Sequence, residues 1–174
     1  LRVGLAAIKA LAEILRKPIV PVSVLEVLAR YGTAGDGKVA RPVTFRCAVA
    51  LDAGRKEAFV GQYEIALISE TTHSFECVAE SLLDMQSLAE LVESGAFQWI
   101  TTPDHAIANA LRERLGASRE HTIRDCVERP HSAEVAGVGW HKFKAGEMAS
   151  PELLEANYIR RSDAEIFPKP ASSS

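Results

Sequence analysis

The sequence predicts a mixed α/β fold. The chain opens helix–strand–helix, continues into one long antiparallel hairpin, and then alternates short strands with helices. That is a mixed α/β chain with one run of antiparallel pairing.

Taken in order, Leu1 to Lys17 reads as one helix stopped by Pro18. Arg2, Lys9, Glu13 and Arg16 share a narrow stripe of its wheel, and the rest is apolar or glycine. Leu1, Leu5, Ile8, Leu11 and Leu15 form a bulky side, and Ala6, Ala7 and Ala10 a small one. A surface helix buries one apolar stripe, so a helix with two apolar sides is expected to meet two neighbours. Ile19–Val22 is a short strand candidate. Ser23 and Glu26 have the spacing of a capping box, opening a helix that runs to about Tyr31 and stops at Gly32. Thr33 to Lys38, with two glycines and an aspartate, reads as a loop and as the main boundary.

Val43–Leu51 is a strand, Asp52 to Lys56 its turn, and Glu57–Ile68 the return, with Phe59, Tyr63 and Ile65 on one alternating face. A polar loop follows over Ser69–Ser74, and Phe75–Val78 is a third strand candidate. Asp84 caps a helix reaching Ser94, ahead of Gly95. Phe97–Thr101 is a short buried strand. Pro103 and Asp104 open a helix ending at Gly116. Thr122–Cys126 is a strand candidate, Ser132–Ala145 a helix, and Ser150-Pro151 the start of a short last helix. Tyr158–Arg161 reads as extended and Pro168 to Ser174 as disordered.

Composition excludes several classes. A net charge of −3 without a Lys/Arg run gives no nucleic-acid footprint. No apolar run reaches membrane-spanning length, and the first helix is broken by Arg2, Lys9 and Glu13. It also lacks the basic head and cleavage site of a signal peptide. Cys47, Cys77 and Cys126 are odd in number and widely spaced, which is no disulfide framework and fits a reducing cytoplasm. Cys47, inside an apolar strand, is expected to be buried packing.

No catalytic constellation has a local signature. There is no G-x-S-x-G elbow, and Cys126 near His121 and His131 is sequence proximity alone. No histidine pair has helical zinc spacing, and no C-x-x-C occurs. Neither a G-x-G-x-x-G nor a Walker pattern is present. Asp52 and Gly54, after a strand, occupy the kind of turn that cradles phosphate or magnesium in actin-like ATPases. A plain hairpin turn, with Asp and Gly chosen for backbone reasons, is the competing reading.

The stretch from Leu1 to Ala12, Leu-Arg-Val-Gly-Leu-Ala-Ala-Ile-Lys-Ala-Leu-Ala, and the stretch from Lys17 to Ala29 resemble the TsaB (YeaZ) family, whose pattern is L-R-V-G-L-A-x-A-K-G-L-A followed by I-P-L-V-x-V-S-S-L-E-A-L-A. Val49 to Phe59 resembles that family's strand and D-A-R-R-G-E-V-Y hairpin, and Tyr158-Ile159-Arg160 its C-terminal Y-L-R. The matches are collinear and span about Leu1 to Glu165; between Ser69 and Ala156 only the layout matches.

The resemblance implies the actin-like ATPase (ribonuclease H-like) two-lobe fold. The family's opening D-T-S-T and the G-S-F-T-G turn before L-R-V-G do not occur here, so the expected organisation has a truncated first lobe. Residues 1–32 would be its remnant, 33–42 a linker, 43–165 the second lobe and 166–174 a disordered tail. The family's role is that of a non-catalytic partner subunit in making threonylcarbamoyl-adenosine next to the tRNA anticodon. The implied partners are a TsaD-like transferase, a TsaE-like ATPase through the complex, and a second copy of the chain. Contact with tRNA would be indirect, the location cytoplasmic, and no cofactor or metal is called for. Nothing here supports the older glycoprotease description. The expected partner surface is Arg2, Leu5, Ala6, Lys9, Ala10, Glu13 and Arg16. The alternative is an actin-fold ATPase or phosphotransferase using Asp52.

Overall fold

The computed structural model describes residues 2–32, 43–67, 73–125 and 129–155. The expected linker 33–42, the tail, Tyr158–Arg161, Cys126 and most of the Ser69–Ser74 loop lie outside them. Five strands form one sheet: β1 (Val43–Gly54), β2 (Glu57–Leu67), β3 (His73–Asp84), β4 (Trp99–Thr101) and β5 (Ile123–Arg124), in the order β3-β2-β1-β4-β5. The first three form an antiparallel meander, and β4 and β5 run parallel to β1. Helices α3 (Met85–Glu93) and α4 (His105–Leu115) make the parallel crossovers. Before the sheet lie α1 (Arg2–Leu15) and α2 (Val24–Gly32); α5 (Ser132–Lys144) follows it.

Alternation along the strands splits the core in two. Ala48, Ala50, Ala58 and Val60 meet α3 and α4 through Leu88, Ile107 and Leu111. Cys47, Val49, Tyr63, Ile65 and Trp99 meet α2 through Leu25, Leu28 and Ala29. The predicted face of Phe59, Tyr63 and Ile65 is thus the one under α2. Gly61 lies in that face because α2 comes close. A Cβ there would stand 2.6 Å from Tyr63 Cε2 and 3.1 Å from Leu25 Cβ. Asp84 caps α3 as expected, its carboxylate accepting from the Ser87 amide at 2.7 Å.

Several expectations need correction. Ile19–Val22 is not a strand: Ile19 makes one antiparallel bridge, to Ala149, and no ladder extends it. The third strand is far longer than Phe75–Val78. Val78 is a bulge, since Gln62 pairs with Ala79 but Tyr63 with Cys77. The positions on the α2 side of the sheet therefore switch from Phe75 and Cys77 to Glu80 and Leu82, and that phase change hides the second half of the strand. Ser150-Pro151 opens a turn closed by Leu154 N–H on the Ser150 carbonyl, and the described residues up to 155 form no helix. Helix α1 ends at Leu15 rather than Lys17. Arg16 takes φ 50°, Lys17 N–H bonds the Ala12 carbonyl and Arg16 N–H the Glu13 carbonyl, which is a Schellman ending. Gly146 closes α5 in the same way at φ 80°, without the side-chain penalty that Arg16 carries.

Nor does the capping box at α2 close. The helix starts where predicted, but the Ser23 hydroxyl donates to Glu80 Oε1 at 2.7 Å. Glu26 pairs with Arg30 at 2.7 Å and with Lys142 of α5 at 3.0 Å. Tertiary partners have taken both side chains from the local motif.

Candidate partner-binding surface

Helix α1 exposes its apolar surface. Ala12 is its one buried residue, and Leu5 and Lys9 are half-buried. These three are spaced i, i+4, i+7 and form the side turned toward the protein. Leu5 borders a cleft against α2, and the Lys9 ammonium donates to the Glu152 carbonyl at 3.4 Å. The opposite side carries Val3, Ile8, Leu11, Ile14 and Leu15, with Val3 85% and Ile14 78% exposed. Ala6, Ala7 and Ala10 are exposed beside them. An amphipathic surface helix normally does the reverse, burying its apolar face and wetting its polar one.

The expected surface is therefore split. Arg2, Ala6, Ala10, Glu13 and Arg16 are exposed, whereas Leu5 and Lys9 turn toward the protein. Sequence reasoning left Val3, Ala7, Ile8, Leu11, Ile14 and Leu15 off the predicted surface. The bulky stripe of Ile8, Leu11 and Leu15 was visible on the wheel, but not that Leu5 and Lys9 would anchor the helix from the other side.

Asp52 and Gly54 form a hairpin corner. The Gly54 amide donates to Asp52 Oδ1 at 2.9 Å, and the Asp52 amide donates to Asp104 Oδ2 at 2.8 Å. Asp104 Oδ1 in turn pairs with Arg129 at 2.6 Å. The turn residues Arg55 and Lys56 have φ 58° and 63°, so two left-handed residues close the hairpin. A backbone role thus accounts for both Asp52 and Gly54. Among the described residues no group of three or more His, Cys, Asp or Glu is arranged to hold a metal ion. Among the described residues no helix is long and apolar enough to cross a membrane. Burial pushes the Cys47 thiol up to about 12, which makes it a packing group rather than a nucleophile.

The sheet order and the helices on both faces define an actin-like, ribonuclease H-like α/β protein. The family model TsaD, described as tRNA N6-adenosine threonylcarbamoyltransferase, matches residues 1–166, and the chain belongs to that family. Among solved structures it is similar to YeaZ from Pseudomonas aeruginosa, with a TM-score of 0.58 and 18% identity. That match covers 87% of this chain and 64% of the other, so this chain spans under two thirds of YeaZ's length, and the likeness is one of fold. No curated protein matches.

Proposed function

We propose that this chain is an accessory subunit in threonylcarbamoyl transfer to the tRNA adenosine beside the anticodon, and that α1 is its docking helix. The observation that carries the reading is the inverted exposure of α1, with Ile14 78% and Leu11 51% exposed while Lys9 faces inward. An apolar centre edged by Arg2, Glu13 and Arg16 has the anatomy of a protein–protein contact. Family membership and the YeaZ-like fold support a TsaD-type protein as the partner. A TsaE-like ATPase and tRNA would join through that partner, in the cytoplasm. The division at 33–42, with residues 1–32 belonging to a first lobe, is part of the same proposal.

The experiment is size-exclusion chromatography of the chain mixed with a TsaD-type protein. The mixture is expected to elute as one complex, and Ile14→Arg to elute as two separate proteins. Co-elution of Ile14→Arg with the partner would remove α1 from the contact. Self-association that the same substitution abolishes would make a second copy the occupant.

A further inference from the structure

Helix α5 carries an exposed face that a docking role for α1 leaves unused. Its inner side is engaged: Val138 is buried, and Lys142 reaches Glu26 of α2 at 3.0 Å. On the opposite side Ala133, Ala136, Gly137, Trp140, Phe143 and Lys144 fall within about 120° of the wheel, and all six are exposed. Trp140 is 55% and Phe143 41% exposed, and their rings stack at 5.7 Å with an interplanar angle of 19°. The Lys144 ammonium stands 5.2 Å from the centre of the Trp140 ring, so even the charged residue lies along the apolar surface.

Gly137 needs a reason to be there. It stands in the middle of a helix, where glycine is destabilising relative to alanine. Neither a positive φ nor a close neighbour calls for it. A Cβ there would meet nothing within 4 Å among the described residues. It leaves a hole in the exposed face, one turn from the bulky Trp140. A second α5 lying antiparallel across this face, about a two-fold axis between positions 137 and 140, sets each Trp140 over the other copy's Gly137. The same arrangement puts Lys144 opposite Ala133. It also brings the half-buried Glu134 of the first turn beside the basic last turn, His141 and Lys144, of the other copy. A parallel pair would instead set Trp140 against Trp140 and Lys144 against Lys144. We infer that α5 pairs with α5 of a second copy of this chain, antiparallel, with Trp140 of each seated over Gly137 of the other. The helix has 13 residues and is about 20 Å long. One such face buries less than the roughly 800 Å² per partner of a standard interface, so the dimer is weak and depends on concentration. The contact uses no residue of α1.

The test is sedimentation equilibrium of the full chain over a concentration series. The parent's weight-average mass is expected to climb from one chain toward two. Gly137→Leu fills the hole at an exposed site where leucine is the better helix former, so the chain stays folded. Its dimerisation is expected to weaken at least tenfold, and Trp140→Ala, which removes the knob, to do the same. Gly137→Leu combined with Trp140→Ala exchanges knob and hole, and is expected to recover at least threefold of the loss. Ile14→Arg is expected to leave dimerisation unchanged, which separates this contact from α1. A parent that stays monomeric at every concentration would overturn the pairing, as would a Gly137→Leu chain that dimerises like the parent. Self-association lost in Ile14→Arg would move the contact to α1. Failure of the exchange variant to recover would remove Trp140 from its seat over Gly137. Loss of binding to a TsaD-type protein in Gly137→Leu would give the face to that protein instead.

Discussion

The Lys9 ammonium lies 3.4 Å from the backbone carbonyl of Glu152, and this contact helps to set which side of α1 meets the protein. With Leu5 and Ala12 on the same side, it turns Val3, Leu11 and Ile14 outward. A charged group anchors the helix while its apolar surface is presented. That inversion is the observation on which the proposed docking role rests.

The approach of α2 to the sheet depends on Gly61. Gly61→Ala puts a methyl 2.6 Å from Tyr63 Cε2 and 3.1 Å from Leu25. Tyr63 is held by its bond to Glu80 and has little room to yield. Urea unfolding is expected to show a loss of about 1–3 kcal/mol, the usual cost of overpacking.

Glu26 links α2 to α5. Burial raises its pKa, but hydrogen bonds from Arg30 and Lys142 outweigh that and hold it below the usual carboxylate range. A folded-state pKa below the unfolded one gives stability that is present above the unfolded value and lost as pH falls through the folded one. Glu26→Gln is therefore expected to lower Tm at pH 7, with the gap to the parent chain closing in acid below pH 4.5. A gap that widens in acid would reverse the sign assigned here.

How much of this was legible beforehand depended on whether a residue's partner lay nearby in sequence. The β1–β2 hairpin, the Asp84 cap and the inward face of Tyr63 and Ile65 follow from spacing, turn chemistry and period. The far half of β3 did not, because the Val78 bulge shifts the alternation by one. The box at Ser23 and Glu26 was misleading, because Glu80 and Lys142 come from 57 and 116 residues away. For α1 the wheel showed two apolar sides, but not the contact of Lys9 with Glu152, which is distant in the chain.

Arg16 and Gly146 perform the same left-handed helix stop, at φ 50° and 80°. Arg16→Gly is expected to raise stability by up to about 1 kcal/mol, since a side chain in that region is penalised. Gly146→Ala is expected to lower it by about as much. Thermal unfolding of the two variants checks both directions.

The central claim is that α1 docks a partner through its outward apolar face. Isothermal titration of a TsaD-type protein with the chain, with Leu11→Arg and with a Glu113→Arg control on α4 tests it most directly. The account predicts that Leu11→Arg weakens binding at least tenfold, which is about 1.4 kcal/mol, while Glu113→Arg leaves affinity unchanged. Equal affinities for the parent chain and Leu11→Arg, both folded, would contradict it.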